Sequence, residues 1–147
     1  MLLLDDPLDA HTTPPGGPDP VRQPGVVLGS ARVTRLIELT RGLRGEGFDV
    51  WPAESGLEAL SAFFDRTGEI DAFVLDADLP DLPGLAFLRR LRNHFPAVPC
   101  VFLAGPCHPV AVELAAAGAD VVSATAPVRD IAGRVREAVA FGVPTEW

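Results

Sequence analysis

The residues able to carry chemistry concentrate in one run, Leu75-Asp76-Ala77-Asp78-Leu79-Pro80-Asp81-Leu82-Pro83-Gly84, with three carboxylates within six positions. Asp76 closes an apolar stretch, Ala72 to Leu75, and precedes a turn built on Pro80, Pro83 and Gly84. Its carboxylate therefore emerges where a buried strand becomes a loop, the end at which an open α/β sheet binds its ligands. Asp76 and Asp78 are weak candidates for a relocated cation site, since hard cations take carboxylate oxygens. The other reading has Asp78 on the loop, turned away from Asp76 or into solvent. Cys107 and His108 lie near the same rim. A cysteine nucleophile needs an imidazole turned toward it and a third group behind that imidazole; adjacent residues seldom face each other, so the pair reads as a surface thiol and a helix-start histidine. Trp51 and Phe102 read as core or rim packing. No nucleophile, base and oxyanion donor assemble in one pattern, and no enzymatic activity is expected.

Short apolar runs alternate with helix-length amphipathic segments from residue 25 onward. Val26 to Gly29, Phe48 to Pro52, Ile70 to Asp76, Cys100 to Leu103 and Ala119 to Ser123 read as strands. The first helix places Val33, Leu36, Ile37, Thr40 and Leu43 at helical spacing and stops at Gly45 and Gly47. The second opens on a capping box, Ser55 with Glu58, and is expected to bury Leu57, Leu60, Phe63 and Phe64. The third turns Leu85, Leu88 and Leu91 inward and Arg89, Arg90 and Arg92 mostly outward, a solvated face rather than a phosphate patch. Val110 to Ala117 and Val128 to Phe141 complete five βα units. Fully apolar strands alternating with helices imply a parallel sheet covered on both faces and joined by right-handed crossovers.

Composition narrows the function. The chain of 147 residues is one domain's worth, and 48% hydrophobic content supplies a single core. A formal charge of −8 opposes sequence-independent attraction to nucleic acid, which needs clustered Lys and Arg. All twelve basic residues are arginine, so no lysine amine exists anywhere. Residues 1–24 are rich in proline and glycine and read as a flexible tail, residues 25–142 as the domain and residues 143–147 as a C-terminal end. Cys100 and Cys107 make a poor disulfide scaffold, which suits a reducing cytoplasm. No signal sequence or membrane-spanning run is expected.

With these residues in view, the chain resembles the receiver domain of two-component response regulators over about residues 25 to 142. Residues 75–92, LDADLPDLPGLAFLRRLR, are similar to the family's phospho-acceptor strand, proline turn and following helix. PCVFLAG at 99–105 resembles its fourth strand, and AAAGAD followed by Pro127 resembles the approach to its fifth. The resemblance implies a single doubly wound (βα)5 flavodoxin-like fold with a parallel sheet of order 2-1-3-4-5. It also implies an aspartate that accepts a phosphoryl group from a histidine kinase, helped by Mg²⁺ on an acidic pair, a Thr or Ser, and a Lys before a proline. Asp76 matches the acceptor; the helper positions do not match.

The acidic pair should fall within Leu28, Gly29, Ser30 and Ala31, yet the first carboxylate after residue 25 is Glu38. Ala104 stands at the Thr/Ser place, Ala126 at the Lys place, and Val122 near the family's switch aromatic. A phosphorylated carboxylate carries about two negative charges that need a partner. Asp76 with Ser30 is a poor magnesium site, so no cofactor is expected. Asp5 and Asp6 are similar to a receiver's first-strand ending, but the proline-rich tail separates them from the helix that should follow. The leading expectation is a degenerate, or pseudo, receiver that signals through protein contacts, with phosphorylation lost or much reduced. Its expected partners are a histidine kinase, an output domain or a second receiver, with a homodimer as one form; Ala111, Ala115, Ala116 and Ala117 of the fourth helix suit close packing against a partner and burial against the sheet equally well. One alternative keeps Asp76 as a working phospho-acceptor. Another is a flavodoxin-like nucleotide or flavin binder, because Gly29-Ser30-Ala31-Arg32-Val33-Thr34 faintly resembles a hydroxyl-rich phosphate loop.

Overall fold

The computed structural model describes residues 23–105 and 108–141. The expected tail up to residue 22, with Asp5 and Asp6, and Cys107 and residues 143–147 lie outside the described residues. The elements run β1 (Gly25–Gly29), α1 (Val33–Gly45), β2 (Asp49–Ala53), α2 (Gly56–Asp65), β3 (Ala72–Asp76), α3 (Gly84–His94), β4 (Cys100–Ala104), α4 (Ala111–Ala116), β5 (Asp120–Ser123) and α5 (Val128–Phe141). All strand pairs are parallel, as the five βα units imply, and the sheet order is β2-β1-β3-β4-β5, the order that the family resemblance implies.

Period-two alternation splits the core into two halves, one on each face of this sheet. Phe73 and Leu75 of β3 join Phe63, Phe87, Leu88, Phe102 and Leu114 beneath α2, α3 and α4. Ala72 and Val74 point the other way, into a cluster with Leu36, Leu39, Leu43, Ile131 and Val135 from α1 and α5. The first half is aromatic: Phe63 lies 5.2 Å from Phe73, and Phe87 meets Phe73 edge-on at 5.1 Å. Asp76 shares the parity of Ala72 and Val74, so its side chain leans toward the α1 and α5 side of the strand end. At the opposite edge, Gly47 joins α1 to β2 at φ 97°, a conformation that L side chains rarely adopt.

Three burial expectations change. In α1, Leu39 replaces Val33 and Ile37 on the buried face; Val33 is 54% and Ile37 47% exposed. Both sets fit a 3.6-residue period, and the helix rolls so that the stripe Leu36, Leu39, Thr40, Leu43 meets the sheet. In α2, Ala59 joins Leu60 and Phe63 inside, whereas Leu57 and Phe64 are about half exposed (52% and 48%). In α3, Arg92 is not a solvated side chain: its guanidinium donates to Val98 O at 2.6 Å across the turn that leads into β4. Arg89 and Arg90 do face solvent. The alanines of α4 and its end, Ala115, Ala116 and Ala117, are exposed, and Leu114 alone in that helix is buried.

Because Phe73 is fully buried between Phe63 and Phe87, Phe73→Ala should destabilise the domain by about 3–5 kcal/mol. Val112→Ser, at a position 78% exposed, should stay within about 0.5 kcal/mol. Urea unfolding followed by circular dichroism checks both, and equal midpoints for the two variants would contradict the assigned core.

Candidate functional site

Asp76 ends β3 with its side chain 17% exposed, at the carboxyl edge of the sheet. It lines a cleft of about 360 Å³ shared with Ala31, Arg32, Arg35, Asp78, Gly105, His108 and Ala124. Strand ends position the polar groups here. Ser30 follows β1, is fully buried, and its backbone N–H donates to Ala53 O at 3.0 Å. This fixes the hydroxyl, which donates to Asp76 Oδ2 at 2.6 Å while its oxygen accepts from Arg32 N at 3.2 Å. Gly29 lies directly before it against β3, where an added Cβ would stand 2.5 Å from Leu75 Cδ2.

The other carboxylate oxygen faces a cation that sequence reasoning missed. Arg35 Nε, from the first turn of α1, lies 3.8 Å from Asp76 Oδ1. Its Nη2 donates to Ala124 O in the connection after β5. Opposite unit charges near 4 Å attract by about 4 kcal/mol at a typical effective dielectric, before desolvation is subtracted. The pair is only 24% and 17% exposed, so solvent screens it less than the exposed Arg66–Glu69 pair (46% and 59%). No periodic signal separates Arg35 from Arg32 or Arg41 along the helix; only the parity of Asp76 and the roll of α1 select it.

Asp78 does not turn to Asp76 as a second ligand. Its Oδ1 lies 2.5 Å from His108 Nε2, while His108 Nδ1 accepts from Val110 N at 3.2 Å. That acceptance leaves the Nε2 proton for Asp78. His108 thus holds the approach to α4, in keeping with a helix-start histidine. The third carboxylate, Asp81, crosses to α2 and accepts from Gly56 N at 2.9 Å and Leu57 N at 3.0 Å. It supplements the expected cap, in which Ser55 Oγ accepts from Glu58 N at 3.0 Å. Glu58 reaches back to Glu54 N at 2.7 Å, one residue earlier than an ordinary capping box.

Ala104, at the end of β4, is 4% exposed, and its carbonyl accepts from Ala124 N at 2.9 Å. Ala126 packs against the α1 and α5 half of the core. Neither side chain offers a polar atom to the cleft. Val122 is buried in the same half of the core and Trp51 is half-buried under Arg66. Burial pushes the Cys100 thiol up to about 12, so it remains a neutral packing group.

Magnesium requires near-octahedral oxygen ligation. Here one Asp76 oxygen accepts a hydrogen bond from the Ser30 hydroxyl, the other faces a fixed guanidinium, and Asp78 is engaged by His108. These residues do not fit the ion. Among the described residues, no cluster of three or more His, Cys, Asp or Glu could hold a metal.

A doubly wound parallel sheet of this strand order, with a strand-end aspartate in the crevice at its carboxyl edge, defines a flavodoxin-like α/β module. The family model described as the response regulator receiver domain matches residues 33–124, more than half of the chain. The chain belongs to that family, and its place is in two-component signalling. It is 44% identical over 71 residues to the transcriptional regulatory protein TrcR of Mycobacterium tuberculosis, covering 48% of this chain and 26% of that protein. It is 37% identical over 65 residues to the sensor kinase CckA of Brucella abortus, covering 44% of this chain and 7% of that protein. The chain thus spans well under half the length of these curated relatives. Among solved structures, a Clostridium thermocellum receiver domain protein superposes at TM-score 0.75 with 22% identity, covering 80% of this chain and 95% of that one. A response regulator from Chloroflexus aurantiacus gives 0.72 and 25%, covering 80% and 98%.

Hydrogen bonding from Leu57 N, the largest cause, and from Gly56 N holds the Asp81 carboxyl below its ordinary value, against a smaller opposing effect of burial. A lowered folded-state value contributes stability above the unfolded value near 3.9, and that contribution disappears as pH falls through the folded value. Asp81→Ala should therefore cost about 0.5–1 kcal/mol at pH 7, near the low end for caps because the carboxylate is exposed. The difference from wild type should shrink below about pH 4. Parallel urea titrations at the two pH values measure it; a difference that grows on acidification would contradict the assigned role.

Proposed function

We propose that this receiver domain is a degenerate one, acting through protein contacts, with phosphorylation of Asp76 lost or strongly reduced. The observation that carries the reading is the double engagement of Asp76, by the Ser30 hydroxyl on one oxygen and the Arg35 guanidinium beside the other. Phosphoryl transfer would add about one further negative charge at this carboxylate. Ala104 and Ala126 supply no hydroxyl or amine to neutralise it, and no magnesium requirement follows. Each missing electrostatic stabiliser commonly costs about 10²–10³ in rate. The domain itself performs no catalysis in this reading.

Its partners are proteins of the same signalling class: a histidine kinase, a linked output domain or a second receiver. Relatives named as a sensor kinase and a transcriptional regulator are consistent with that range. Exposed Val112, Ala115 and Ala116 on α4 give a smooth surface suited to close packing, including against a second copy. Nucleic acid is not a partner of this acidic segment, and a cytoplasmic setting suits the class. Among the described residues no helix is long and apolar enough to cross a membrane.

A second reading retains Asp76 as a phospho-acceptor, favoured by its position at the end of β3 within an open cleft. Incubation with acetyl phosphate and Mg²⁺, followed by intact mass, decides between them. The expected result is no phosphoryl adduct. Stoichiometric addition that disappears in Asp76→Asn would overturn the proposed reading.

A further inference from the structure

We propose that Arg35 is a tethered internal cation that joins Asp76 to the β5–α5 connection and holds that connection in one arrangement without metal or phosphoryl group. The inference rests on the degenerate-receiver reading and adds the device that holds the segment after β5 in place.

Three elements meet at one guanidinium. Arg35 leaves α1 with its Nε facing Asp76 Oδ1 of β3 and its Nη2 donating to Ala124 O. The peptide so clamped is already tied to the sheet on its other side, since Ala124 N donates to Ala104 O of β4 at 2.9 Å. Ala126 N closes the next turn onto Ser123 O at 3.0 Å. The connection therefore rests on β4 through one hydrogen bond and on β3 through a charge. A guanidinium suits this task because its planar fork addresses two acceptors at once, whereas an ammonium is a point charge. Ser30 completes the arrangement from the opposite side, donating to Asp76 Oδ2 and thereby orienting Oδ1 toward Arg35.

Asp76 has one positive partner fixed on α1, and Asp78 accepts from His108. Arg35 already stands 3.8 Å from Asp76 Oδ1 and would repel a divalent cation brought to that carboxylate. The same guanidinium thus disfavours a second cation at Asp76 and supplies a permanent tie between β3 and the segment that follows β5.

Amide hydrogen exchange on the full chain, with neither phosphodonor nor Mg²⁺ present, tests the tie directly. Arg35→Met preserves much of the aliphatic stem but removes the charge and the fork. Exchange at Ala124 and Ala126 should accelerate about tenfold, as expected for losing a charge-assisted hydrogen bond. The amides of Val26 and Val27, in the centre of the sheet, should be unchanged. Arg35→Lys should restore only part of the protection. Asp76→Asn should accelerate exchange in the wild-type background and add little in the Arg35→Met background, because the two residues act as a pair. Unchanged protection at Ala124 in Arg35→Met, full rescue by Lys, or simple additivity with Asp76→Asn would overturn the inference. Accelerated exchange at the central strand amides would also count against it, as general loosening. Failure of the tie leaves the phosphodonor result untouched, and phosphorylation of wild-type Asp76 leaves the exchange result untouched, so the two readings fail separately.

Discussion

A parallel strand buried on both faces can present a charged side chain only at its end, and the arrangement of this protein follows from that constraint. The residues of β3 before Asp76 are all shielded from water, Ala72 to Leu75, by aromatic packing on one face and by aliphatic residues of α1 and α5 on the other. Removing any carboxylate from water without a partner carries a large cost. The first position at which β3 can hold one is its carboxyl end. There it must be solvated, hydrogen-bonded or paired, and Asp76 is all three in part.

The partner that pairs it follows from strand alternation. Asp76 has the parity of the residues that face α1 and α5, so the charge that compensates it must come from that side. Arg35 comes from the first turn of α1 and also reaches the connection into α5. The surrounding substitutions become mutually consistent in this setting. In the proposed degenerate-receiver reading, the Arg35 guanidinium stands beside Asp76 where no acidic residues are present near Gly29 and Ser30, and Ala104 and Ala126 have no oxyanion to bind.

The remaining acidic residues of the turn illustrate how spacing misleads when the backbone path is unknown. Asp76, Asp78 and Asp81 crowd together in sequence, yet the chain curls so that they serve three different elements: α1 through Arg35, the start of α4 through His108, and the N-terminus of α2. A cluster of carboxylates would repel; separated in this way, each meets a complementary donor. The structural work of Asp81 is comparable to that of a helix cap, although it is supplied from 25 residues away along the chain.

Local patterning determined the five βα units, the parallel sheet and the placement of Asp76 at its functional edge, because apolar runs and helical periodicity are properties of neighbouring residues. It also determined the absence of any lysine and the alanines at 104 and 126, which composition and motif spacing expose directly. Tertiary structure alone decided which flank of α1 and α2 would be buried, since Val33, Ile37, Leu57 and Phe64 satisfy the same periodicity as the residues that took their places inside. It alone chose Arg35 from several arginines on one helix and brought it to both Asp76 and Ala124, 41 and 89 positions away. Such contacts depend on helix roll and strand parity taken together, and no short window of sequence contains both.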